Sequence, residues 1–311
     1  MATRAAELTT SEIVQRALRR KRIDLAGQIF QVLLLLALLI SLLFLVVLLF
    51  DIVSKAIPTF QERGADVVTG TVSSLPERAG VSQGISGSLF LVAFVVVIAF
   101  PLGVGAAIYL EEYAADTRLN RFINTNVRNL AGVPSVVYGL LGLALFVKLF
   151  GSFTGGRSVM SAGITMAILV LPIVIITSAE ALRAVPNSIR EAGYGVGATK
   201  WEVIRSHVLP NAAPGILTGT VLSLSRAIGE TAPLLMVGAV SGFFAVNAEG
   251  LIDRLQSQFT ALPVLVYNWS RQPDPGFRQD LVPAAIVVLL VLTLSANAIA
   301  ILLRNRYDRK W

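Results

Sequence analysis

From Ile29 to Phe50 the chain runs for 22 residues without a charged side chain. That length matches the roughly 20 residues a helix needs to cross the hydrocarbon core of a bilayer. Within lipid the backbone must satisfy its own amides and carbonyls, so a single apolar run of this kind has to be helical. A cleaved leader is the competing reading. The polar region before it is too long, the apolar core exceeds the roughly 7 to 15 residues of a leader, and no small-residue cleavage site follows closely. Residues 29–50 are therefore expected to form a first transmembrane helix, preceded by a cytoplasmic tail over 1–28 that carries Arg4, Arg16, Arg19, Arg20, Lys21 and Arg22.

Five more apolar segments follow, at 84–110, 130–150, 161–182, 215–240 and 281–303. In the segment at 84–110 Gly84, Gly87, Ser88, Gly103 and Gly105 permit close helix contact, and Pro101 predicts a kink; Pro172 lies inside the segment at 161–182, the fourth span. Residues 51–83, with Pro58, Pro76 and several Gly and Ser, read as an extramembrane loop, and 111–129 as a short charged connection. The expected fold is an all-α membrane protein of six transmembrane helices. Composition agrees: 55% of residues are hydrophobic and 14% charged, where soluble domains carry about a quarter charged residues. The absence of cysteine excludes disulfides and thiolate metal sites, and a single histidine argues against an imidazole centre.

The net charge of +7 is spread over tails and loops and forms no basic stripe with interleaved aromatics, so nucleic acid is not the expected partner. Topology accounts for it better. With six spans, seventeen basic residues fall on the side of the two termini and eight on the other; the positive-inside rule then places both termini, a tail over 304–311 and the segment 186–210 in the cytoplasm. Residues 241–280 become an external loop. Its Phe243, Phe244, Phe259, Tyr267 and Trp269 suit an aromatic belt, a folded interfacial segment or a docking surface for an outside partner.

Residues 186–210, PNSIREAGYGVGATKWEVIRSHVLP, form a patterned polar insert between two apolar runs. Ser188 stands three residues before Glu191 and Thr199 three before Glu202, which predicts a capping box at the start of each of two short helices. Gly193, Gly195 and Gly197 allow a turn between them, and Pro210 is expected to end the second. The stretch GYGVGATK is not a phosphate-cradling loop: Thr199 occupies the position of the required Gly, and Trp201 that of the Ser or Thr.

Farther on, Arg226 and Glu230 are the ionisable residues of the fifth apolar segment. Arg226 lies ten residues after Ile216, about 15 Å along a helix and so near the middle of the membrane. A central Arg costs on the order of 3 kcal/mol, so it is expected to face a polar interior with a partner, and Glu230 shares its face. The pair can simply fix helix packing, or it can serve an anion pathway. A guanidinium matches an oxyanion bidentately, and the carboxylate neutralises it at rest and accepts a hydrogen bond from a protonated phosphate. Glu111 and Glu112 mark a membrane boundary, Glu180 and Arg183 suit a helix-end ion pair, and His207 suits a contact with another subunit. No acid, base, nucleophile or ligand set gathers as a membrane enzyme would require. No inverted halves of a secondary transporter are evident either.

Glu191-Ala192-Gly193, then Gly197, then Leu209-Pro210 follow the spacing of the EAA loop, so the chain resembles the ABC importer permeases of bacteria. It departs from their pattern with Gly193 for Ala and His207 for Ile. The segment from Arg226 to Pro233, RAIGETAP, preceded by LPNAAPG, and the segment from Gly132 to Gly139, GVPSVVYG, are similar to signatures of the phosphate permeases of the Pst system. The stretches ALPVLVYNW and NAIAILLRNR are more like the PstA branch than its sister PstC. The resemblance, from about residue 84 to the end, implies an ABC type-1 (MetI-like) transmembrane domain over 84–303 and a non-catalytic permease of an ATP-driven phosphate importer. A sister permease or a permease of the same fold for another oxyanion is the alternative.

It further implies a second permease, two copies of an ATPase subunit and an extracytoplasmic phosphate-binding protein as partners, in the inner membrane. This chain would bind no cofactor, with ATP and magnesium on the ATPase. The EAA loop would couple to that ATPase through Glu191, Ala192, Gly193, Gly197, Leu209 and Pro210, and Arg226 and Glu230 would line the substrate pathway.

Overall fold

The computed structural model describes residues 25–240 and 250–307, and among them every regular element is helical. Arg4, Arg16, Arg19, Arg20, Lys21, Arg22, Phe243, Phe244, Arg309 and Lys310 lie outside the described residues. Contacts divide the chain into residues 1–51 and 52–311. From Leu25 the first unit is helical, apolar all round and exposed along almost its whole described length. A helix apolar on every side belongs in a membrane or a core.

That helix, α1 (Leu25–Arg63), corrects the expected loop at 51–83, because it runs on to Arg63. Its last turns bury Ala56 and Thr59, the Thr59 hydroxyl donates to the Asp280 carbonyl at 3.2 Å, and Arg63 donates to the carbonyls of Pro76 and Ala79 at 2.9 and 2.7 Å. These partners keep the helix going where hydropathy fades. The irregular part reduces to 64–81, with one helical turn at Asp66–Thr69.

Helix α2 (Ser82–Tyr113) is followed by α3 (Arg118–Ala131) and α4 (Ser135–Leu149), which meet at a bend of 100°. The expected connection at 111–129 is thus mostly helix, and the third apolar segment starts at Ser135, not at residue 130. Gly132, Val133 and Pro134 make the elbow, since Pro134 disfavours helix in the residue before it. Then come α5 (Val159–Arg183), with Pro172 inside it, and α6 (Asn187–Gly195). Helix α7 covers 200–229 and α8 (Ala232–Val237) follows after a break. After residue 250 come α9 (Leu251–Leu255), α10 (Leu262–Trp269) and α11 (Val282–Tyr307).

Six spans were expected. Among the described residues four helices are long and apolar enough to cross a membrane, and α3 with α4 would make a fifth as a broken span. The apolar segment at 215–240 is not one continuous helix; it breaks at Glu230, and the helix it belongs to carries Pro210 and Pro214 ahead of the segment and, within it, three serines or threonines on exposed and half-buried faces and Arg226.

Wider, π-type turns precede three prolines: Val95–Ala99 before Pro101, Ile204–Val208 before Pro210 and Gly276–Leu281 before Pro283. A proline has no amide proton for the carbonyl four residues back and its ring collides with that carbonyl; widening the preceding turn relieves both. Pro210 therefore does not end a helix, as expected from sequence, but sits within α7.

The unit 52–311 holds three apolar clusters. The central one joins Leu91 and Val95 of α2, Met166 and Val170 of α5, Leu224 of α7 and Leu234 of α8. A second gathers Val81, Leu262, Leu265, Trp269, Phe277 and Leu281. Trp269 and Phe259 are buried, and Trp269 packs at a tilt of 43° against Phe277 with ring centroids 5.8 Å apart, so these two are core residues of a folded segment and not members of an aromatic belt. The small residues of α2 serve this segment: a Cβ on Gly87 would lie 1.8 Å from the Thr260 carbonyl oxygen, and the Leu262 amide donates to Ser88 Oγ at 3.0 Å. The third cluster, with Ala107, Leu182, Val203, Val208 and Ile216, underlies the 186–210 segment.

Candidate functional site

Helix α7 stops at Gly229 and Glu230 is extended, with φ −78° and ψ 123°. Arg226, one turn earlier, places Nε 3.3 Å from Glu230 Oε1. The side chains are 42% and 21% exposed, so the guanidinium is held by one carboxylate and still open on another side. Other faces of α7 are occupied. A Cβ on Gly219 would lie 2.2 Å from Thr177 Oγ1 of α5, and Ser225 Oγ donates to Asn297 Oδ1 of α11 at 2.7 Å.

The break also brings two distant motifs together. A Cβ on Gly139 of α4 would lie 2.7 Å from Pro233 Cα and 2.9 Å from Met236 Cβ of α8, so the two helices touch backbone against backbone. Next to it the buried Tyr138 reaches back across the elbow, its hydroxyl donating to the Leu130 carbonyl at 2.9 Å. Chemically, a half-open guanidinium with a carboxylate beside it can take a bidentate oxyanion and still offer an acceptor for a proton on that anion. Gly139→Ala is expected to impair whatever activity this contact supports at least about tenfold, because overpacking a backbone contact costs about 1–3 kcal/mol. Gly105→Ala, whose Cβ meets nothing within 4 Å, should leave that activity unchanged; assay of the two variants in parallel, in the uptake measurement described under the proposed function, checks this.

The 186–210 segment is a folded element. Thr199 and Glu202 form the expected capping box: the Thr199 amide donates to Glu202 Oε2 at 2.7 Å and the Glu202 amide to Thr199 Oγ1 at 3.4 Å. The hydroxyl and amide of Thr199 hold the Glu202 carboxyl below its ordinary pKa. The box expected at Ser188 and Glu191 does not form. Helix α6 starts after Pro186, whose fixed φ supplies the entry, so Ser188 is already inside the first turn and Glu191 is exposed.

Ala192 is exposed, Gly193 is buried with its Cβ position 2.7 Å from Val203 Cγ2, and Gly197 turns the chain at φ +83°. Leu209 is half-buried and Pro210 exposed. Pro186, Ile189, Ala192, Val196, His207 and Asn211 line an open groove that is mostly apolar. Val196 is 84% exposed, and the Trp201 side chain is exposed as well.

What holds this segment to the spans was not foreseen. At the end of α2, Glu111, Glu112 and Tyr113 meet three cations in turn. Arg183 forks onto Glu111, with Nε 3.2 Å from Oε2, so its partner is Glu111 and not the expected Glu180. Arg190 of α6 places Nη2 2.7 Å from Glu112 Oε1 and also donates to the carbonyls of Val185 at 2.8 Å and Leu182 at 3.0 Å. The Lys200 ammonium lies 5.0 Å above the Tyr113 ring. Arg190 and Glu112 side chains are 16% and 5% exposed. The only sequence signal was a pair of acids at a membrane boundary; their partners lie 72 and 78 positions away.

Residues 99–311 match the family described as "Binding-protein-dependent transport system inner membrane component". The chain belongs to this family of transport permeases. Among its relatives are the phosphate transport system permease protein PstA 1 of Mycobacterium tuberculosis, 34% identical over 72% of this chain and 71% of that one, and PstA of Yersinia pestis, 33% identical over 95% and 94%. The fold is also that of the permease in inward-facing structures of the MetNI methionine ABC transporter, with a TM-score of 0.56 over 74% of this chain and 95% of that one at 18% identity. The family consists of multi-pass membrane components that work with a separate binding protein. The Arg226–Glu230 break, the Gly139 contact and the 186–210 segment all fall within the matched residues.

Proposed function

We propose that this permease is a subunit of an ATP-driven importer of inorganic phosphate, in which it forms half of the translocation pathway. The observation that carries the reading is the half-open Arg226–Glu230 pair at the break between α7 and α8. It is supported by relatives over 72% and 95% of the chain that are named as phosphate permeases. The partners in this reading are a second permease like PstC, two copies of an ATPase like PstB and an external phosphate-binding protein like PstS. In this reading the core, residues 84–303, lies in the inner membrane, and residues 1–28 and 304–311 are tails on its cytoplasmic side. The basic bias of the loops supports that orientation.

This chain then carries out no reaction and binds no cofactor; ATP and magnesium reside on the ATPase. Binding of ATP closes the two ATPases and moves the coupling segment, Glu191 to Gly197 with Leu209 and Pro210 at its far end. The exposed groove and Trp201 give the ATPase an apolar surface to hold. The two permeases rock the pathway between inward and outward access, and phosphate released outside passes Arg226 and Glu230.

Uptake of labelled phosphate, sulfate and molybdate by the reconstituted complex tests this. Phosphate is expected to be taken up in an ATP-dependent way and the fully deprotonated anions to be rejected. Preference for sulfate or molybdate would assign the same fold to another oxyanion, and failure of an ATPase to co-purify with the chain would remove the coupling reading altogether.

A further inference from the structure

Helix α3 lies against α5 along one flank and presents beside that contact a surface that nothing in the unit 52–311 covers. Over its 14 residues, RLNRFINTNVRNLA, it has no buried side chain. At 100° per residue Leu119, Phe122, Ile123, Val127 and Leu130 fall on one stripe, and Leu119 and Phe122 are each 66% exposed. Arg121 and Arg128 lie on the opposite side and Arg118 at its flank, with no acidic residue within the helix. Asp116 just before it pairs with Arg121 at 3.2 Å in an exposed contact. Thr117 caps the start, accepting from the Asn120 amide at 3.2 Å. The 100° bend at Gly132–Pro134 sets α3 across the direction of α4, so if α4 runs into the bilayer, α3 lies along its surface.

We infer that α3 is an interfacial helix: its apolar stripe enters the acyl boundary of the membrane, and Arg118, Arg121 and Arg128 bind the headgroups of anionic phospholipid. An apolar stripe with large side chains opposite an arginine-bearing face is the pattern of helices that lie in the interface plane. Arginine gives bidentate hydrogen bonds to phosphate diesters. Complementary charge also favours this occupant over a protein surface, since three cations without an acid in the helix suit a negatively charged leaflet.

The chain has no cysteine, so single-cysteine spin labels report one position each, with the unsubstituted complex treated alike as background. Phe122→Cys and Thr125→Cys are placed in the full complex in vesicles of phosphatidylcholine with phosphatidylglycerol. The label at 122 should collide with oxygen and be shielded from a water-soluble nickel chelate, and the label at 125 should show the reverse. With a fluorophore at 125, energy transfer to headgroup-labelled phosphatidylglycerol should exceed transfer to labelled phosphatidylcholine at equal mole fraction by roughly twofold or more. The combination R118Q, R121Q and R128Q should remove the difference while the complex still assembles.

Three results would each overturn the inference: a label at 122 open to the nickel chelate; a label at 122 closed to both reagents, which would mean that a protein such as the second permease covers the stripe; and equal transfer to the two lipids, or a preference that survives loss of the arginines.

Discussion

Arg226→Gln is expected to lower phosphate uptake by about a hundredfold with the complex still assembled, and Glu230→Gln by about tenfold. The ranking follows from what each group can do for an anion. The guanidinium supplies two charge-assisted hydrogen bonds at once, each worth about 1.5–3 kcal/mol, and Gln offers one neutral donor in their place. At Glu230 the Gln carbonyl still accepts a hydrogen bond from a protonated phosphate, but the amide no longer neutralises Arg226 between turnovers. Both positions are partly exposed, so neither substitution leaves a stranded buried charge, and assembly should survive. Initial rates of labelled phosphate uptake, with subunit stoichiometry measured on the same preparation, separate the roles. Wild-type uptake by both variants would remove the pair from the pathway; loss of assembly with either would make it a packing device.

The sequence made the long helices legible because transfer of apolar side chains into lipid depends on composition and length, and α2, α5 and α11 were located within a few residues of their observed ends. The Thr199 and Glu202 box and the Arg226–Glu230 pair were legible because both are contacts over three or four residues, although Glu230 stands just past the end of the helix and keeps the contact from an extended backbone. What was missed depended on distant partners. Past Asp51 hydropathy gives no sign that α1 continues; the far end of the helix is held by a distant partner, with Thr59 reaching the Asp280 carbonyl. Pro210 reads as a stop by its missing amide, yet a wide turn ahead of it carries the helix through. Trp269 looked like an interfacial aromatic until Phe277, Leu262 and Leu265 closed over it. Ser188 matched a cap by spacing, and the helix began before it, at a proline.

The same distinction governs the Arg190–Glu112 contact, and here the expected effect is of another kind. Arg190 donates to one carboxylate and to two backbone carbonyls at the end of α5, tying α6 to α2 and α5 through a single side chain. Arg190→Gln leaves the Glu112 carboxylate nearly buried without its cation and frees the Val185 and Leu182 carbonyls. Breaking a buried pair from one side costs about 3–5 kcal/mol, enough to detach α6 without unfolding a core built from the three apolar clusters. The variant complex should hydrolyse ATP at a rate close to wild type while phosphate uptake falls at least about tenfold, because the surface proposed to meet the ATPase would move without drawing α2 and α5 along. Arg190→Lys, which keeps the charge but not the fork, should fall between the two. Glu112→Gln should be the mildest, since Gln still accepts from Arg190 and takes the buried charge away. Parallel loss of hydrolysis and uptake in Arg190→Gln would place the residue in folding of the docking surface, and unchanged uptake would show that the tie between α6 and α2 transmits nothing.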